Sequence, residues 1–148
     1  PRPEVWEKFL TEPDPYFFLE RVQDPLVTAL TGAILQGAGQ KLPLLLDGAS
    51  AFLAAVAACK FNPVAADYCF ASHVSVEPGL EILLDFLKLT APLRLNLPGG
   101  SGVGAAACLT LLKAGVKAYK EMETFEEAGV HKEEAAFSLQ AQQKKQDS

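Results

Sequence analysis

LPLLLDGASAFLAAVAACKFNPVAADYCFA, residues 42–71, decides the fold. A short apolar run, Leu42 to Leu46, ends in Asp47-Gly48; a helix-forming stretch follows from Ser50 to Lys60, then a second short run, Asp67 to Ala71. Short apolar strands alternating with helix-length segments read as parallel strands joined by crossover helices. The stretch Ser50 to Lys60 is nearly all Ala, Leu, Val and Phe, which predicts a helix buried on more than one side.

The alternation continues outward. Asp24-Pro25 supplies an N-cap and a first-turn proline for a helix over Pro25 to Gln40. Downstream, Glu77 to Lys88 places Leu80, Leu83, Leu84 and Leu87 on one side and Glu81, Asp85 and Lys88 on the other. A third strand is expected at Leu93 to Leu97, followed by glycine-rich Pro98 to Gly104 and a helix ending near Glu123. In that helix Cys108, Leu109, Leu112, Val116 and Tyr119 form the apolar stripe and Lys113, Lys117 and Lys120 the wet one. The expected class is α/β, a Rossmann-like parallel sheet with helices on both faces and right-handed crossovers. Five prolines, at 1, 3, 13, 15 and 25, limit the start of the chain to two short helices, Glu4 to Leu10 and Pro15 to Val22. Its aromatics, Trp6, Phe9, Tyr16, Phe17 and Phe18, predict packing onto this domain or onto a second copy. Beyond Gly129 the composition turns polar and repetitive. The expected divisions are a proline/aromatic segment at 1–23, the α/β domain at 24–130 and a disordered tail at 131–148.

A chain of 148 residues, 49% apolar and 21% charged, is sized for one domain and is not a disordered protein. Its formal net charge of −5 has the wrong sign for gripping phosphate backbones, so nucleic acid is not an expected partner. No apolar stretch approaches the ~20 residues of a membrane span. Cys59, Cys69 and Cys108 lie in apolar segments without CxxC spacing, as core residues in a reducing compartment do. A soluble, unexported, cytoplasmic protein is expected. His73 has no carboxylate or cysteine at metal spacing and His131 lies in the tail, so no metal is expected.

Ligands of open parallel sheets bind outside the carboxyl ends of the strands. Three polar clusters fall there: Asp47-Gly48, Ser72-His73-Val74-Ser75-Val76-Glu77-Pro78-Gly79, and Pro98 to Gly104. Glycines ahead of a helix let backbone amides approach a phosphate, and they serve equally as a tight turn. The spacing is GxGxG at 100, 102 and 104, neither the dinucleotide fingerprint nor a P-loop with its lysine. Ser101, His73 and Asp47 form a hydrolase triad only on paper, since 99–103 read GGSGV and not GxSxG. Glu77 taken alone reads as a charge favouring a helix N-terminus.

LPLLLDG at 42–48, ASHVSVEPGLEILLDFLKL at 71–89, GGSG at 99–102 and LLKAGVKAYKEMETFEEAGV at 111–130 together resemble the C-terminal half of the nicotinate-nucleotide:dimethylbenzimidazole phosphoribosyltransferase family. The SHxSxEPG and EMxTFxxAGV runs carry most of the resemblance, which covers Asp24 to Val130. It implies transfer of ribosyl phosphate from nicotinate mononucleotide to a benzimidazole nitrogen, a step in making the lower ligand of cobalamin, with no cofactor. It implies substrate- and phosphate-binding roles for Asp47, Gly48, His73, Ser75, Glu77, Gly100, Ser101 and Gly102, and a homodimer or a complementing chain. The family's loop reads like RLGEGSGA with its glutamate as catalytic base, whereas residues 96–103 here are NLPGGSGV, which puts Gly99 at the base position. The chain is also short for the family. These departures imply an impaired or partner-dependent enzyme, or a non-catalytic binding module derived from it.

Overall fold

Asp14 and Asp24 each precede a proline, and each begins a helix in the computed structural model, which describes residues 9–97 and 101–122. In α1 (Pro15–Val22) the Asp14 carboxylate accepts from the amides of Tyr16 at 2.9 Å and Phe17 at 3.4 Å; in α2 (Pro25–Gly39) Asp24 accepts from Leu26 at 2.8 Å. Proline costs nothing in a first turn, where its missing amide would have no intrahelical partner. By its contacts the chain divides into Pro1–Leu112 and Lys113–Ser148.

In the first unit the core is built on α3 (Ala49–Phe61), in which Phe52 and Ala54, Ala55, Val56, Ala57 and Ala58 are all fully buried. Burial on several sides follows from side chains small enough to let neighbours approach closely. Thr31 of α2 donates to Val27 O at 2.8 Å and lies 3.4 Å from Ala54 O, so its hydroxyl is satisfied where α2 meets α3. Val27, Ile34 and Ala38 complete that contact face.

Part of the aromatic start packs onto this domain, while Tyr16 and Phe17 stay exposed. Phe18 and Leu10 are buried, and the Phe9 ring stacks on Phe18 at 4.6 Å. Lys60, in the last turn of α3, clamps the segment: its ammonium donates to Leu10 O at 2.6 Å and to Glu12 O, and sits 5.2 Å over the Phe18 ring and 5.5 Å over Phe86. Lys60→Met keeps the stem and removes the charge, leaving both carbonyls without their donor. The variant should lose about 2–3 kcal/mol, read as a lower urea midpoint together with faster proteolysis near Glu12; an unchanged midpoint would show the clamp to be ornamental.

The strands are short. β1 (Leu44–Leu46) pairs in parallel with β2 (Cys69–Ala71), Leu44 opposite Cys69 and Leu46 opposite Ala71. After Ser72, β3 (His73–Val74) pairs in parallel with β4 (Leu93–Arg94), His73 opposite Leu93. The second strand ends at Ala71 as expected, but His73 and Val74, expected in the loop after it, form a separate two-stranded ladder. Between the two ladders, the Ser72 amide at 3.2 Å and hydroxyl at 2.6 Å both donate to Leu46 O. Asp67 and Tyr68, expected to be strand, belong to a 3₁₀ turn over Pro63–Tyr68 that Asn62 caps through Val64 N at 3.1 Å. The third strand stops at Arg94 instead of Leu97. Helix α4 (Leu80–Leu87) starts three residues after the expected Glu77, because Pro78-Gly79 turn first, with Gly79 at φ 88°.

Helix α5 (Val103–Glu121) buries only Gly104 and Cys108; Leu109 and Leu112, expected on its packed stripe, are 43% and 42% exposed, so the first unit's core ends at Cys108. In the second unit, Lys117 and Glu121 form an exposed i,i+4 pair at 3.9 Å, worth about 0.3–0.5 kcal/mol. The expected helix from Glu4 to Leu10 is described only from Phe9 onward. Pro98, Gly99, Gly100, Glu123 and the 131–148 tail lie outside the described residues, among which no helix is long and apolar enough to cross a membrane.

The cysteines are free, with Cys69 and Cys108 buried. Burial, and then the neighbouring Cys59, push the Cys69 thiol from 9.0 up to about 11. The native state therefore holds the proton that the unfolded chain releases near pH 9. The stabilisation is complete below that pH and is lost as pH rises through 11, with a full value on the order of 2 kcal/mol. Between pH 9 and 11 the wild type should lose stability more steeply than Cys69→Ala in urea titrations; parallel curves would refute the assignment.

Candidate functional site

The three polar clusters are tied to one another pairwise. Asp47 leaves β1 and its Oδ2 accepts from the amide of Ala105, in the first turn of α5, at 3.0 Å. Gly48, at φ 81°, turns the chain into α3, whose first amide, Ala49 N, donates to Glu77 Oε2 at 2.8 Å. Glu77 therefore caps α3 and not the helix that follows it in sequence. Ser75 donates to the same Oε2 at 3.1 Å, and its own oxygen lies 3.4 Å from Glu77 N. Two carboxylates thus occupy the positive ends of two helices, an arrangement worth about 0.3–1 kcal/mol each at exposed sites.

The third tie is steric. His73 is 1% exposed and its ring lies flush against Gly104, where an added Cβ would fall 2.1 Å from Nδ1 and 2.2 Å from Cε1. Nδ1 is 3.0 Å from Ser72 Oγ. Leu46 O can only accept, so the Ser72 hydroxyl gives its proton to that carbonyl at 2.6 Å and must receive one from Nδ1–H. The neutral ring then carries a bare lone pair on Nε2, a buried atom without a hydrogen-bond partner.

Of the residues expected at the site, Asp47, Gly48, His73, Ser75 and Glu77 are joined by these contacts. Ser101 and Gly102 stand directly ahead of α5, both exposed; Gly102 at φ 77° accepts from Ala106 N at 2.9 Å as the helix begins. Gly99 and Gly100 lie outside the described residues. Among those residues no group of three or more His, Cys, Asp or Glu could hold a metal ion. The sequence reading placed Ser72 and Gly104 in the polar clusters at the strand ends without giving either a role. The signal for Ser72 was a hydroxyl placed between two apolar runs, and for Gly104 a glycine one position inside a helix. It missed Arg94, at the end of β4, which pairs with Glu81 at 3.0 Å with both side chains mostly exposed.

A rim of this kind brings together two helix N-termini, each already met by a carboxylate, a glycine-rich entry to one of them, and fixed polar groups from all three loops. Comparison with known proteins gives it a lineage. A phosphoribosyltransferase family profile matches residues 5–130, reaching further toward the start of the chain than the motif resemblance at Asp24. The nicotinate-nucleotide–dimethylbenzimidazole phosphoribosyltransferase of Geobacter sulfurreducens is 41% identical over 117 residues, 79% of this chain and 33% of its own. The protein of the same name from Shewanella frigidimarina is 42% identical over 105 residues, 71% of this chain and 30% of its own. The crystal structure of the Thermus thermophilus protein of that name superposes with a TM-score of 0.67 at 40% identity, covering 72% of this chain and 32% of that one. The chain spans about a third of the length of these relatives. Its parallel α/β architecture and its motifs place it in the nicotinate-nucleotide–dimethylbenzimidazole phosphoribosyltransferase family, to which this chain belongs.

Proposed function

We propose that the domain takes nicotinate mononucleotide and an aromatic azole of the benzimidazole type, and transfers ribosyl phosphate between them slowly, or only with a partner supplying what the chain lacks. The observation that carries this reading is the pairwise tying of the three loops, Asp47 to α5, Glu77 to α3 and His73 to Gly104, in a chain of this family. Such a transfer needs a phosphate cradle, a slot for a flat ring, and a base near the attacking nitrogen. Ser101 and Gly102, ahead of α5, and Gly48 supply the cradle, and Ser75 lies on the nucleotide side of the rim. The base is the weak element, since Gly99 has no side chain to accept a proton.

A second reading, a non-catalytic binding module, is favoured by one observation: Asp47 and Glu77, the carboxylates nearest to hand as replacement bases, are engaged as helix caps. We place either form in the cytoplasm, as a homodimer or with a complementing chain. Incubation with nicotinate mononucleotide and dimethylbenzimidazole, following released nicotinate, separates the two. Slow release supports the first reading; binding in calorimetry without release supports the second. Robust turnover by the isolated chain refutes impairment, and absence of binding refutes both.

A further inference from the structure

Asp47 meets the start of α5 and Glu77 the start of α3, so the rim presents two carboxylates to a ligand that is itself a phosphate monoester. Holding such an anion calls for a cation within reach. Among the described residues one basic side chain leaves the carboxyl end of a strand, and it is Arg94. Arg21 and Lys60 lie in the last turns of α1 and α3, Lys88 follows α4 and Lys41 precedes β1, while Lys113, Lys117 and Lys120 lie well along α5.

The β3–β4 ladder sets Arg94 beside the second polar loop. It stands opposite Val74, the residue before Ser75, and the next amide, Leu95 N, donates to Val74 O at 3.1 Å. From there the guanidinium reaches Glu81, in the first turn of α4, at 3.0 Å. The side chain thus runs from the end of β3 to the start of α4, the two points that the loop from Ser75 to Gly79 connects. Arg94 is 72% exposed along its side chain and Glu81 66%. An exposed pair of this kind holds weakly, so the guanidinium is free to change partners. Its planar fork matches two phosphate oxygens as well as it matches a carboxylate.

We propose that Arg94 is the phosphate-recognition residue of the rim: it leaves Glu81 for the phosphate oxygens when nicotinate mononucleotide binds, and Glu81 holds the guanidinium at the loop until then. The inference rests on the reading above that the rim takes this nucleotide. It makes Arg94 a specificity residue, selecting the mononucleotide over the riboside that lacks the phosphate.

Calorimetry on the full chain tests this with nicotinate mononucleotide and nicotinate riboside, which share the ring carboxylate. The wild type should bind the mononucleotide about 10–100-fold more tightly than the riboside, the worth of a charge-assisted pair. Arg94→Ala should erase that preference by weakening the mononucleotide alone, and Arg94→Lys, with the charge but not the fork, should keep part of it. Glu81→Gln should tighten the mononucleotide about 2–5-fold by releasing the guanidinium, a gain that should vanish in the Arg94→Ala background. Equal losses for both ligands in Arg94→Ala would show that the side chain only braces the loop or meets the ring carboxylate. An undiminished preference in that variant would show that phosphate is held elsewhere, and a Glu81→Gln gain that survives without Arg94 would show that no partner exchange occurs. Each of these results overturns the proposal and leaves the nucleotide reading standing. If the wild type binds neither compound, the nucleotide reading fails and takes this inference with it.

Discussion

Replacing Gly104 by alanine should cost about 3 kcal/mol and lower the thermal midpoint by about 10 °C. The added methyl would sit 2.1 Å from His73 Nδ1 and 2.8 Å from Cγ, well inside any tolerable contact. A flexible neighbour would swing away, but this one is a ring bonded through Ser72 to the end of β1 and buried to 1% exposure. Either α5 lifts off the rim, breaking the Asp47–Ala105 bond, or the imidazole turns and leaves Ser72 Oγ without its donor. Both outcomes disrupt the same three-loop junction, so the loss in stability should be matched by weakened nucleotide binding. Gly32, inside α2, has nothing within 4 Å of its ideal Cβ. Gly32→Ala should therefore gain about 0.5–1 kcal/mol from helix propensity alone. Equal melting points for the two variants would refute the packing account.

The contrast between those two glycines marks what the sequence makes legible. Element order is readable because each strand is a short apolar run stopped by a turn residue and each helix carries a capping residue or an apolar face, as at Asp24-Pro25 and Leu80 to Leu87. These signals are local, and local physics sets them. Glu77 shows where that ends. On its own stretch of chain it looks like a charge at the start of the next helix, yet Pro78-Gly79 turns first and the carboxylate crosses to Ala49, 28 residues back. Ser72 is equally unreadable in advance: that both its donors go to Leu46 O follows from how two strands meet. The apolar stripe of α5 fails in the opposite direction. Periodicity announces an apolar face but not how far a neighbour extends along it, and beyond Cys108 Leu109 and Leu112 stay exposed. The candidate site was legible as residue types at strand ends; which residues touch was not.

Gly99→Glu should raise the rate of nicotinate release about 10²–10⁴-fold, roughly 3–5 kcal/mol of barrier at 1.36 kcal/mol per tenfold. The reasoning is chemical. As the azole's free nitrogen bonds to C1′, its N–H becomes strongly acidic, and a group that removes the proton in the transition state lowers the barrier without binding the ground state more tightly. The gain should therefore fall on kcat, with KM for nicotinate mononucleotide little changed. In the sequence, residue 99 precedes α5 by four positions. Gly99→Gln fills the same volume and offers hydrogen bonds but cannot take a proton at neutral pH, so it should show none of the gain. If glutamine and glutamate accelerate release alike, the effect is loop ordering and residue 99 is not the base position. If neither does, proton removal does not limit nicotinate release by this chain.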